Sequence, residues 1–227
     1  MTSTNIPVIT IDGPSGAGKG TVSCRLAKQL GWHTLDSGAM YRVLALAAHQ
    51  NQIPLEDEAA LATLATGLTL HFYPLPDLSG TQVFLDGQEV SLSLRNESCG
   101  AMASQIARKP AVREALLCRQ QAFRMAPGLV ADGRDMGTVV FKEALLKIFL
   151  TASVEERAQR RYKQLINIGI DAKLSNLMIE IAERDKRDSI RTIAPLMAAT
   201  DAYVIDTTGV SIEKVMARIF KMVPEPF

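Results

Sequence analysis

Short apolar runs and longer periodic stretches alternate along this chain. The runs are Val8 to Ile11, His33 to Leu35, Leu129 to Ala131, Lys147 to Leu150 and Tyr203 to Ile205, and most are bounded by Asp, Gly or Ser at their C-terminal ends. Such runs fit the strands of a parallel sheet, and open α/β sheets hold their ligands at the C-terminal strand ends. The periodic stretches repeat apolar positions at helical spacing over Thr21 to Leu30, Ala39 to Gln50, Val112 to Arg124, Val154 to Leu165, Leu174 to Arg187 and Ile212 to Met222. Gly31, just past the first of these, fits a left-handed helix stop. Strands and helices taking turns in this way predict a doubly wound, five-stranded parallel sheet with helices on both faces, an α/β/α sandwich.

One segment, about residues 66–93, breaks the rhythm. Leu68-Thr-Leu-His-Phe-Tyr73 and Gln82-Val-Phe-Leu-Asp-Gly-Gln-Glu-Val90 both read as strands, and Asp86-Gly87 inside the second is a tight-turn signal. A small antiparallel β insert is expected there. The chain has no internal repeat, low-complexity tract or charged tail.

With 227 residues and 47% of them hydrophobic, the chain can bury one substantial core with subdomains. A net charge of +1 gives no footprint for a nucleic acid polymer. The fifteen arginines outnumber the ten lysines, and many stand beside turns or next to Asp. That pattern suits forked recognition of phosphate or carboxylate, whereas Arg25, Arg95 and Arg218 read as ordinary surface pairs. Cys24, Cys99 and Cys118 lack metal-ligand spacing, and His33, His49 and His71 are scattered. Reduced thiols are therefore expected, with Cys24 a small core residue. No signal-peptide layout or membrane-length apolar run is present, so a soluble, cytoplasmic protein without a membrane partner is expected.

The chemistry begins where the first strand ends. Gly13-Pro-Ser-Gly-Ala-Gly-Lys-Gly-Thr21 has the form of a phosphate-binding loop opening a helix. Its glycines let successive amides point at one anion, the helix start adds its positive end, and Lys19 can reach the outer phosphates. Gly13, Pro14, Ser15, Gly16, Ala17, Gly18, Lys19, Gly20 and Thr21 are thus the expected ATP-binding residues. Gly20 stands where Ser or Thr usually follows the lysine, and Thr21 comes one place later.

Four further constellations carry candidates. In Asp36-Ser-Gly-Ala-Met-Tyr-Arg42, Asp36 or Ser37 caps a helix and Arg42 points back toward its start, which suits an anion there. In Asp132-Gly-Arg-Asp-Met-Gly-Thr138, Asp132 is placed to orient magnesium-bound water, Arg134 to brace a phosphoryl group and Asp135 to accept from a ligand N–H; an Asp-Gly turn is the plainer alternative. In Glu183-Arg-Asp-Lys-Arg-Asp-Ser-Ile-Arg191, a continuing helix would put Arg184, Asp188 and Arg191 on one face, as a site or as a solvated ladder. In Glu156-Arg-Ala-Gln-Arg-Arg-Tyr162, followed by Asn167-Ile-Gly169, Arg157, Arg160 and Arg161 belong to a short helical lid over ATP or to an exposed basic helix.

Together these residues resemble the nucleoside monophosphate kinases. The motifs Asp36-Ser-Gly-x-x-Tyr-Arg42, Asp132-Gly-Arg-Asp-x-Gly-Thr138 and Glu183-Arg-Asp-x-Arg-Asp-x-x-Arg191 with Pro195-Leu196 narrow the likeness to the bacterial cytidylate kinases, from about Pro7 through Phe220. The resemblance implies reversible phosphoryl transfer from ATP to CMP or dCMP, in pyrimidine metabolism, with Mg²⁺ accompanying ATP and a monomeric protein. It divides the chain into core segments at 1–36, 110–153 and 171–227, a monophosphate-binding region at 37–109 and a lid at 154–170. It implies that Arg42, Arg134 and Arg191 hold the CMP phosphate. Arg184 and Asp188, with Ser37 nearby, face the sugar, and Ser104, Arg113 and Asp135 read the base. Lys19, Arg134 and Arg191, with Arg157 and Arg161 from the lid, are the expected catalytic groups, and no protein atom is expected to bind the metal directly. The competing readings are a P-loop kinase for another monophosphate or small metabolite, and a nucleotide-gated switch that phosphorylates nothing.

Overall fold

The computed structural model describes residues 6–78 and 81–224. Its centre is a five-stranded sheet in the order β2-β6-β1-β7-β8. The strands are β1 (Val8–Asp12), β2 (His33–Asp36), β6 (Leu129–Gly133), β7 (Leu146–Thr151) and β8 (Tyr203–Asp206), all paired in parallel. Every residue of β1 and β6 is buried, so these two strands read as largely apolar runs that do not alternate with exposed positions.

Helices cover both faces, as the alternation predicted. On one side Val22, Leu26 and Ala27 of α1 (Lys19–Leu30) and Val215, Met216 and Ile219 of α8 (Ile212–Phe220) pack on Ile9, Ile11 and Ile148. On the other, Met40, Val43 and Leu44 of α2 (Ser37–Gln50) join Val112 and Leu116 of α5 (Pro110–Ala122) against Val8, Leu35 and Ala131. A third, smaller cluster binds α6 (Val154–Asn167) to α7 (Leu174–Ser189) through Ala158, Leu165, Leu177 and Ile181.

The expected insert is an antiparallel sheet of β3 (Leu70–Pro74), β4 (Thr81–Leu85) and β5 (Gln88–Glu89). Asp86 and Gly87 both take positive φ, 50° and 83°, which fits the two-residue turn their sequence signals. Val83, Leu85 and Val90 point into the core shared with α2 and α5, and Phe72 meets Phe123 edge-on at 5.6 Å. The insert is therefore packed into the body of the protein.

Two helices were not predicted: α3 (Glu58–Gly67) and α4 (Glu97–Ile106). Both are built largely of Ala, Thr, Ser and Gly, which blur an apolar stripe, and their starts rest on side-chain caps. Asp57 accepts from the Ala60 amide at 2.9 Å and Asn96 from the Ser98 amide at 3.1 Å. A second difference concerns α7. It ends at Ser189, so Arg191 lies past the helix rather than on its continuing face. The Leu196 amide donates to the Asp188 carbonyl at 2.8 Å, and Ala194 turns the chain at φ 50°, which folds residues 190–196 back over the helix end.

Candidate active site

The C-terminal ends of β1, β6 and β2 deliver three loops to one place. The first is the phosphate loop. Gly13 has φ 147°, and a Cβ on it would fall 2.0 Å from the Leu150 carbonyl oxygen, so the strand can leave the sheet here only through glycine. Gly16, at φ 78°, would set a Cβ 2.9 Å from Cβ of Arg157. Gly20, by contrast, has open space around its Cβ position, so sterics do not account for the missing Ser or Thr. Lys19 is 8% exposed and donates from Nζ to the Pro14 carbonyl at 2.8 Å, folded back over the loop it belongs to. Burial lowers its pKa, and the Arg134 cation lowers it further, against the pull of Asp132 and Asp36.

Asp132 and Asp36 are register partners on β6 and β2. Burial and the Asp36 charge both raise the Asp132 pKa, which Lys19 only partly offsets. Two carboxylates sharing a buried edge beside a phosphate loop are a donor set that suits a hard cation completed by water and phosphate oxygens. Asp36 also caps α2, accepting from the Ala39 amide at 2.8 Å. No cluster of three or more metal-ligating side chains occurs among the described residues.

Facing this loop is a ring of arginines around one carboxylate. Asp188 on α7 accepts from Arg134 Nε at 3.0 Å and from Ser104 Oγ at 3.0 Å. Burial raises its pKa, but the guanidiniums of Arg134, Arg184 and Arg191 outweigh that and hold it below the usual carboxylate value. Arg191 is 7% exposed, donates from Nε to the Asp188 carbonyl at 3.3 Å, and keeps Nη2 buried with no hydrogen-bond partner. A Cβ on Gly100 of α4 would lie 3.2 Å from Arg184 Nη1 and 3.9 Å from Arg42 Nη2. Those two cations therefore approach each other across a residue with no side chain. Like charges held this close favour an anion between them.

The remaining candidates flank that ring. Arg113 pairs with the buried Asp135 and lies 6.0 Å from the centre of the Tyr41 ring. Burial pushes the Tyr41 hydroxyl up to about 12, so it stays protonated. Ser37 Oγ accepts from Gln120 Nε2 at 2.9 Å, which leaves its own proton to donate. Ser104 spends its proton on Asp188 and so presents lone pairs to a ligand.

The arginines of α6 behave differently from an exposed basic helix. Arg157 is 3% exposed and engages the Ala152 carbonyl (2.9 Å), the Ser15 carbonyl (3.1 Å) and Asp185 (2.5 Å). Through the Ser15 carbonyl it braces the phosphate loop. Arg160 reaches Glu156 at 3.0 Å, Thr207 Oγ1 at 3.0 Å and the Thr207 carbonyl at 2.6 Å. Arg161 is half-buried on the same helix.

Three residues that sequence reasoning passed over also shape the site. Thr207, just after β8, sets its hydroxyl 3.3 Å from the Ala17 carbonyl and so props the phosphate loop. Gln120 holds Ser37. Asp12 closes β1 and accepts from the amides of Met136 (2.9 Å) and Gly137 (2.8 Å). The one available signal was for Asp12: a carboxylate closing a strand directly before a glycine loop.

A phosphate loop with a buried lysine beside a cluster of arginines suits phosphoryl transfer between two anionic substrates. The chain matches the family model described as cytidylate kinase over residues 9–225. It is similar to the cytidylate kinase of Shewanella frigidimarina, with 56% identity over 96% of this chain and 95% of that one. The cytidylate kinase of Azotobacter vinelandii is 59% identical over 93% of each chain. That of Stutzerimonas stutzeri is 57% identical over 97% of this chain and 96% of its own.

Proposed function

The chain belongs to the cytidylate kinase family, and from that premise we propose how its residues carry out the reaction. The protein is an ATP-dependent kinase that phosphorylates CMP and dCMP to the diphosphates. The observation that carries our reading of the site is the ring of Arg134, Arg184 and Arg191 around Asp188, facing Lys19 across the loop.

Phosphoryl transfer needs alignment and neutralised charge more than covalent help. The loop amides and Lys19 hold the ATP phosphates. Arg42, Arg134 and Arg191 receive the phosphate of the acceptor, and the partnerless Nη2 of Arg191 supplies a donor waiting for it. Arg184 and Asp188, with Ser37, sit on the sugar side. The attacking oxygen is already anionic, so no general base is required. Asp132 and Asp36 are the residues that would hold Mg²⁺ accompanying ATP, and the ion would supply neutralising charge to the phosphates.

The base is read by Asp135, Arg113 and Ser104. Cytosine presents an exocyclic amine, which Asp135 can accept, beside ring acceptors that Arg113 can reach. Uracil would set a carbonyl oxygen against the carboxylate and an N–H against the guanidinium. We assign residues 37–109 to the monophosphate-binding region, 154–170 to the lid and the rest to the core, in a monomeric cytoplasmic enzyme. Within that lid Arg157 acts on the phosphate loop through Ser15, and Arg161 is the second catalytic candidate. No helix among the described residues is long and apolar enough to cross a membrane.

Coupled measurement of ADP release with CMP, dCMP, UMP and AMP tests this reading. CMP and dCMP are expected to exceed UMP in kcat/KM by about 10²-fold or more, with AMP lower still, because a mismatched acceptor leaves buried polar groups unpaired. Equal turnover of UMP and CMP would refute the roles given to Asp135 and Arg113.

A further inference from the structure

Asp12 is a carboxylate where stability alone would not put one. It is 5% exposed and closes β1 immediately before Gly13. Burying a negative charge there is unfavourable unless hydrogen bonds replace its water. Both oxygens are matched: Oδ1 accepts from the Met136 amide at 2.9 Å and Oδ2 from the Gly137 amide at 2.8 Å. Burial raises its pKa to about 6, against those two hydrogen bonds. The charged groups facing it are Asp135, which adds to the rise, and Lys19, which opposes it.

The amides it grips open the π-helical turn Met136–Val140. That turn is wedged from behind as well, since a Cβ on Gly137 would fall 2.8 Å from Thr10 Oγ1 and 3.2 Å from the Lys147 stem. Directly before it come Arg134, held to Asp188, and Asp135, held to Arg113. One side chain thus ties the strand that launches the phosphate loop to the loop bearing the residues that receive the acceptor.

We propose that Asp12 is a positioning residue for the acceptor nucleotide: through the Met136 and Gly137 amides it sets where Arg134 and Asp135 stand. The inference rests on the assignment of Arg134 and Asp135 to the acceptor site. Asn at position 12 keeps the shape and one acceptor but turns an N–H₂ toward an amide N–H, so the turn shifts away. Errors of about an ångström in such positioning cost up to roughly 10²-fold.

The test measures the dissociation constants of CMP and of a non-hydrolysable ATP analogue separately, together with KM and kcat, on folded Asp12→Asn. CMP affinity is expected to fall by about 10-fold or more while the ATP analogue changes by no more than about 3-fold. Gly137→Ala, which pushes the same turn off Asp12 from the other side, is expected to give the same split. The double variant should lose less than the product of the two single losses, because the two act on one contact. In the wild-type protein, the amide protons of Met136 and Gly137 should shift together as pH falls through about 6. Unchanged CMP affinity in a folded variant, equal losses on both nucleotides, or amides that do not titrate together would each overturn the proposal. A wild-type protein that fails to bind CMP would instead refute the parent assignment.

Discussion

Lys19→Ala is expected to cut turnover by about 10²-fold or more at saturating ATP and CMP, on the scale of one lost electrostatic contact to a transferring group. The ammonium is buried and parked on the Pro14 carbonyl, so it stands inside the loop that must hold the triphosphate. Burial and the Arg134 cation both disfavour that charge, and the negative charge of bound phosphates would offset them. Its favourable interaction is therefore concentrated on the bound and reacting states. The check is the rate of ADP release, with thermal unfolding to show that the variant is folded. Near-normal turnover would remove Lys19 from the mechanism.

The second large effect is expected at Asp188. Its side chain unites Arg134 and Ser104 through two 3.0 Å hydrogen bonds, and it counters the charges of Arg184 and Arg191. Removing one partner of a buried ion pair costs about 3–5 kcal/mol, because the other charge is left uncompensated. Asp188→Ala should lower kcat/KM for CMP by about 10³-fold at most, part of the loss appearing instead as reduced stability. Asp188→Asn, which keeps the shape and loses the charge, should fall between the variant and the wild type. Because the folded pKa is held below its ordinary value, this carboxylate stabilises the protein at neutral pH. That contribution should fade as pH drops below about 4 toward the folded value. Urea unfolding across pH, compared with Asp188→Ala, reads it out. A kcat/KM within about threefold of wild type would show that the arginines do not depend on this anchor.

The parts of this molecule that were legible in its sequence are those whose cause is local. Strand β1 carries Val8, Ile9 and Ile11 into the core, and a strand followed by Gly13-x-x-x-x-Gly18-Lys19 has few structural outcomes. The Asp86-Gly87 turn is likewise a two-residue decision. Helix α4 escaped notice because Cys99, Gly100 and Ala103 are small, and their smallness answers to a partner: Gly100 leaves room for Arg184 and Arg42. Nor could spacing show that α7 stops before Arg191, since the stop depends on Leu196 folding back onto Asp188. Arg157 looked like one charge on a basic helix, yet its surroundings are Ser15 and Asp185, distant in sequence. Asp12 is the sharpest case: its two hydrogen-bond partners lie 124 and 125 residues away. Motifs therefore named the chemistry, while the contacts that hold it in place belong to the fold.

The most direct measurement is a crystal structure with CMP and a non-hydrolysable ATP analogue bound together. The account predicts the CMP phosphate within hydrogen-bond distance of Arg42, Arg134 and Arg191, pointing at the terminal phosphate beside Lys19. A pyrimidine nucleotide seated away from those three arginines would contradict it.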